Sequence, residues 1–148
     1  MEALLAAGIA VQVVPGITAA VGAAAWLGVP LTHRDHAHSC IFVTGHLQHD
    51  TLALNWAALA QPRQTVVIYM GMTGVETICR ELQAAGMPAS TPVAVVRYAT
   101  RPEQEVWTAT VATLPDLIQQ RGLQPPALLV IGTVVRLLDG ALGADVRS

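Results

Sequence analysis

Lysine is absent: all eight basic residues among the 148 are arginines. That excludes Schiff-base chemistry on a lysine and the lysine of a phosphate-gripping P-loop. Charge of either sign is scarce, at 12% of residues with a formal net charge of −2. No basic stripe exists of the kind that neutralises nucleic-acid phosphates, so no nucleic-acid partner is expected. Only two cysteines occur, Cys40 and Cys79, far apart and without CxxC spacing. They read as small apolar residues of a reducing, cytoplasmic compartment rather than as a disulfide or a metal pair.

What the chain has instead is apolar bulk: 53% hydrophobic residues and a mean hydropathy of +0.49. Disorder is thereby excluded, and the length suits one domain with a real core. So greasy a composition is also more than a lone monomer needs, which predicts self-association. Residues 3–32 carry no formal charge, long enough on paper for a membrane span. Gln12, Pro15-Gly16, Thr18 and Pro30 cut that stretch into short pieces, and it reads as buried soluble structure, with no membrane partner expected. Nor do residues 1–8 form a signal peptide, since a basic n-region is missing and Glu2 stands near the start.

Short β-rich runs alternate with helical stretches, which predicts a layered α/β domain. A helix end over 3–7 closes at Gly8, and Ile9, Val11, Val13 and Val14 read as a strand running into Pro15-Gly16. Residues 17–27 predict an Ala-rich helix with Val21, Ala24 and Leu27 on one face. Strands are expected at 41–44, at 64–70 (QTVVIYM, apolar enough to be covered on both faces), at 92–98 and 105–111 as a hairpin, and at 127–131. Helices are expected over 51–60 with Asp50 as N-cap, from a Thr73/Glu76 capping box to Gly86 with Glu76 and Arg80 paired, and from Thr113 to Gly122. Residues 139–148 have too little apolar periodicity to assign.

The chemistry-bearing residues give few leads. His33, His36, His38, His46 and His49 cluster in sequence, with Cys40 nearby. A zinc site needs three or four ligands in fixed geometry, and polar loop residues are the better reading, so no metal is expected. There is no G-x-S-x-G elbow and no base near Ser39 or Ser90. Glu76, Glu81, Glu103 and Glu105 read as solvated surface. What remains are strand-to-helix turns at the carboxyl ends of strands, where open α/β sheets bind ligands: 13–20, 69–73 and 98–100.

Six segments in order, VVPGITAA (13–20), GVPLTHRD (28–35), VTGH (43–46), VIYMGM (67–72), GMPASTPVAVVRYAT (86–100) and PPALLVIGTVVRL (125–137), resemble the uroporphyrinogen-III C-methyltransferases. The match is closest to the methyltransferase module of siroheme synthases. The resemblance implies the second domain of the tetrapyrrole methylase fold, an α/β unit with a mixed five-stranded sheet flanked by helices. It also implies S-adenosylmethionine as cofactor (S-adenosylhomocysteine as product), uroporphyrinogen III as substrate, precorrin-2 as product of two C-methylations, and a homodimer. Carried over by position, Thr18 and Ala19, Met70 and Ala99 are the expected cofactor contacts.

The glycine-rich GxGxGD-type loop of the family's first domain, and the proton-transfer residues expected with it, have no counterpart here. On this reading residues 1–14 are a remnant of the first domain and linker, 15–138 are the second domain, and 139–148 are a disordered tail. The chain alone is expected to be inactive, with its catalytic residues unassigned. A sister precorrin methyltransferase and a non-catalytic dimerisation module are the alternatives.

Overall fold

A computed structural model of the chain describes residues 1–45 and 53–138. Helix α1 (Glu2–Ala6) and α2 (Ala19–Leu27) precede strand β1 (Ser39–Thr44). Then follow α3 (Trp56–Leu59), β2 (Gln64–Tyr69), α4 (Val75–Ala84), β3 (Pro92–Arg97), β4 (Glu105–Thr110), α5 (Leu114–Arg121), β5 (Leu128–Ile131) and a 3₁₀ turn (Thr133–Leu137). The five strands form one mixed sheet in the order β1-β2-β5-β3-β4. Only β1 and β2 pair in parallel; β5 lies antiparallel between β2 and β3, with Val66 opposite Ile131 on one side and Val93 opposite Ile131 on the other.

The central strands are apolar along their whole length because both sheet faces are covered. Val66, Ile68, Val93, Val95, Leu129 and Ile131 pack on one face with Ile78, Cys79 and Leu82 of α4 and Leu114 of α5. Val67, Ala94, Val96, Leu128 and Val130 pack on the other with Ala20, Ala23 and Leu27 of α2 and Val134 and Val135 of the 3₁₀ turn. Alternation along each strand thus sorts side chains into two cores, the period-2 rule of pleated backbone. Burial raises the Cys79 thiol to about 11 and pushes Cys40 upward too; both cysteines are free.

Several expectations shift. The strand expected over 9–14 has no partner: residues 9–18 have no regular structure, and residues 1–19 are all exposed. The buried stripe of α2 is Ala20, Ala23 and Leu27, with Val21 outward, because the helix begins at Ala19 and its small side chains let it lie close on the sheet. Helix α3 is a single turn capped by Asn55, whose side chain accepts from the Ala58 amide; the expected cap Asp50 lies outside the described residues. The N-cap of α4 is Gly74, not Thr73, because the turn out of β2 brings the chain into helical geometry one residue late for the capping box. Arg80 bonds Glu81 at 2.9 Å rather than Glu76. Glu105, expected as solvated surface, instead pairs with Arg97 at 2.6 Å across the hairpin. The tail at 139–148 also lies outside the described residues. No helix among those described is long and apolar enough to cross a membrane.

Candidate functional site

The parallel pair sets the geometry. Strands β1, β2 and β3 point their carboxyl ends at one edge of the sheet, and β5, running the other way, brings its amino end to the same edge. A cavity of about 580 Å³ opens there, within the range of ligand sites. Met70 follows β2, Tyr98 to Thr100 follow β3, Pro126 and Ala127 lead into β5, and the front of α2 supplies Thr18 and Ala19. A second lobe of about 200 Å³ adjoins it and shares Met70, Pro126 and Ala127 with it. Thr18, Ala19, Met70 and Ala99, three segments distant in sequence, therefore meet in one cavity.

The turns that build it leave the strand geometry abruptly. Met70 (φ 53°), Tyr98 (φ 51°) and Thr100 (φ 70°) hold left-handed backbone, and among the described non-glycine residues Arg63 is the one other such case. Left-handed backbone on a side-chain-bearing residue costs of order 1–3 kcal/mol, and here three instances concentrate at one cleft. Tertiary bonds hold them in place. Arg97 donates to Glu105 at 2.6 Å and to the Tyr98 hydroxyl at 3.1 Å, and its guanidinium lies 4.8 Å from the Tyr98 ring centre, bracing the β3–β4 turn. The Thr100 amide donates to the Gln104 side chain at 3.0 Å. On the other side, the Tyr69 hydroxyl lies 2.5 Å from the Thr18 hydroxyl and 3.0 Å from the Ala20 amide nitrogen.

Among the described residues the lining has no Arg, Asp, Glu or His: it is made of aliphatic side chains, the Met70 thioether, and Thr18, Tyr69, Tyr98 and Thr100. Tyr69 and Tyr98 lie in two of the turns singled out from the sequence, at 69–73 and 98–100, and both line the cavity, whereas Pro126 could be placed there only once β5 was known to lie antiparallel beside β2.

His33, His36 and His38 lie elsewhere, beside the amino ends of β1 and β2. The rings of His33 and His36 are 5.0 Å apart, and Arg63 reaches the His38 ring nitrogen at 2.6 Å and the Arg34 carbonyl at 2.6 Å. Among the described residues no three metal-ligating side chains converge; His46 and His49 lie outside them.

Comparison with known proteins places this geometry. A family model described as Tetrapyrrole (Corrin/Porphyrin) Methylases matches residues 1–115. The siroheme synthase of Nitrosomonas europaea is 59% identical over 126 residues, covering 85% of this chain and 26% of that protein. That of Nitrosococcus oceani is 58% identical over 134 residues, covering 90% and 29%. The chain thus spans under a third of these curated relatives. Among solved structures, the uroporphyrin-III C-methyl transferase of Thermus thermophilus complexed with S-adenyl homocysteine is 31% identical with a TM-score of 0.77, over 90% of this chain and 57% of that one. A cobalt precorrin-4 methyltransferase is 26% identical with a TM-score of 0.78, over 90% and 56%.

Proposed function

The chain belongs to the tetrapyrrole methylase family, and from that premise we propose that it forms part of a methyltransferase that uses S-adenosylmethionine to methylate carbons of uroporphyrinogen III, giving precorrin-2. The observation that carries this reading is the uncharged cleft at the carboxyl ends of β2 and β3, in a fold whose Thermus relative is complexed with S-adenyl homocysteine. The cofactor supplies a methyl group already activated on a sulfonium, so displacement needs positioning more than acid, base or metal assistance. Thr18 and Ala19, Met70 and Ala99 hold and orient it: small residues admit the adenosyl group close to the backbone, and Met70 forms the wall between the two lobes. Residues 15–138 serve as the family's second domain, and residues 1–14 belong with the first. The TM-scores of 0.78 and 0.77 do not separate a precorrin-4-type substrate from a uroporphyrin one, and the higher identity is to the uroporphyrin enzyme; mass spectrometry of the methylated product separates them. Two free thiols suit a reducing compartment, and we place the protein in the cytoplasm.

Calorimetric titration of the chain with S-adenosylhomocysteine is expected to show one-to-one binding with a Kd on the order of 0.1–1 mM, about −4 to −5.5 kcal/mol. Met70→Asp sets a solvated carboxylate against the adenosyl group's apolar contact and is expected to weaken that binding at least tenfold, whereas Met70→Leu changes it less than threefold. Binding unchanged in Met70→Asp overturns the cofactor-wall assignment, and heat-silent wild type at millimolar ligand overturns the cofactor itself.

We also propose a homodimer. Ile9, Val13, Val14, Ile17 and Trp26 are 51–82% exposed along the first 27 residues, apolar surface of the kind that marks interaction sites when it gathers into one patch. Sedimentation equilibrium at tens of micromolar is expected to give twice the monomer mass; a single monomeric species there refutes the dimer.

A further inference from the structure

Helix α2 presents an anomaly at its start. Thr18 stands at the N-cap with the extended backbone usual there (φ −68°, ψ 148°), yet its hydroxyl makes no bond to the first helical turn. A threonine N-cap ordinarily accepts from the N–H two or three residues on. Here the Ala20 N–H, second in the helix, donates instead to the Tyr69 phenol at 3.0 Å. The strand β2 thus reaches across and caps α2 with a side chain 49 residues away in sequence.

The same phenol lies 2.5 Å from the Thr18 hydroxyl. The distance admits either hydroxyl as donor; the greater acidity of the phenol and the Ala20 N–H already on its oxygen favour the phenol donating to Thr18 Oγ1. Thr18 Oγ1 consequently accepts, and its own proton has no partner on this network. Thr18 is one of the residues that line the cleft.

Resting on the cofactor reading above, we infer that Tyr69 is a positioning residue that takes over the capping of α2 and thereby fixes Thr18 as a hydrogen-bond donor to the bound adenosyl ligand. The chemistry of the contact follows: the ligand must offer an acceptor to Thr18, a carboxylate oxygen, a ribose oxygen or a purine nitrogen, and not a donor.

The test is a double-mutant cycle of Tyr69→Phe and Thr18→Val on this chain. In the absence of ligand, Tyr69→Phe is expected to speed hydrogen exchange of the Ala20 amide about tenfold and to lower Tm by about 2–4 °C. Thr18→Val alone is expected to leave Ala20 exchange within twofold of wild type, because Thr18 does not cap. With S-adenosylhomocysteine, each single variant is expected to lose three- to tenfold in affinity, and the double variant to lose little more than either. Unchanged Ala20 exchange in Tyr69→Phe, or fully multiplicative affinity losses, overturns the inference. If wild type binds no S-adenosylhomocysteine, the cofactor reading falls with Thr18's ligand role, while the ligand-free exchange and melting data still decide whether Tyr69 is the cap.

Discussion

Incubated with S-adenosylmethionine and uroporphyrinogen III, the 148-residue chain on its own is expected to turn over at less than a thousandth of the rate of the Thermus uroporphyrin-III C-methyl transferase assayed beside it. The reason lies in the exposure of the cleft. Ile17 is 82% and Met70 59% exposed, so the surface proposed to hold the cofactor is a single wall open to water. Well-fixed attack geometry is worth about 7–11 kcal/mol, and at about 1.36 kcal/mol per decade that is a factor well beyond a thousand. On that proposal, one wall would keep some affinity for the cofactor but leave the angle and distance of attack to diffusion. Following transfer of labelled methyl to the tetrapyrrole decides the matter. Turnover within tenfold of the Thermus enzyme would mean that the catalytic geometry resides wholly in this chain.

The largest effect on stability is expected from Gly132→Ala, about 3 kcal/mol less stable by urea unfolding. Gly132 ends β5 with φ 139° and ψ 168°, a region open essentially to glycine alone. A Cβ built there would stand 2.8 Å from the Gln64 carbonyl oxygen and 3.4 Å from Thr65 Cα, both backbone and unable to rotate away. The Gly132 N–H meanwhile donates to the Pro92 carbonyl at 2.9 Å, so relief by moving the residue would cost a bond to the next strand. Strain and overpacking of about 1–3 kcal/mol each therefore add. Gly122→Ala serves as the control: it has φ 60° and nothing within 4 Å of its Cβ position, and a loss of only about 1 kcal/mol is expected there. Equal losses at the two positions would show that the clash with β2 carries no weight.

The strands were the most legible part of the sequence, because a sheet covered on both faces writes itself as unbroken apolar runs such as QTVVIYM. Ends and partners were less so. The capping box at Thr73 matches its spacing, but where a helix begins depends on how the preceding turn delivers the chain, and that turn is set by left-handed Met70. The apolar alternation at 9–14 looks like a strand because periodicity records which residues would share a face, not whether a neighbour is present to pair with. At the site, all four residues carried over from the family resemblance line the cavity. The Tyr69 cap was invisible, since a bond between residues 49 apart leaves no local spacing to read.

The position of β5 has a consequence for how the molecule comes into being. It is the last of the described strands in chain order, yet it is the middle of the sheet, and until residue 131 is available β2 and β3 have no neighbour between them. Two half-sheets, β1-β2 and the β3–β4 hairpin, can each form from closer contacts, while joining them awaits a segment some 60 residues beyond β2, a slow kind of pairing. Binding cleft and hydrophobic core are then completed by the same event, because Pro126, Ala127 and Leu128 line the one while Leu129 and Ile131 fill the other. A ribosome-bound chain stopped short of β5 would hold neither, and its two exposed inner edges would be the surfaces most in need of a chaperone.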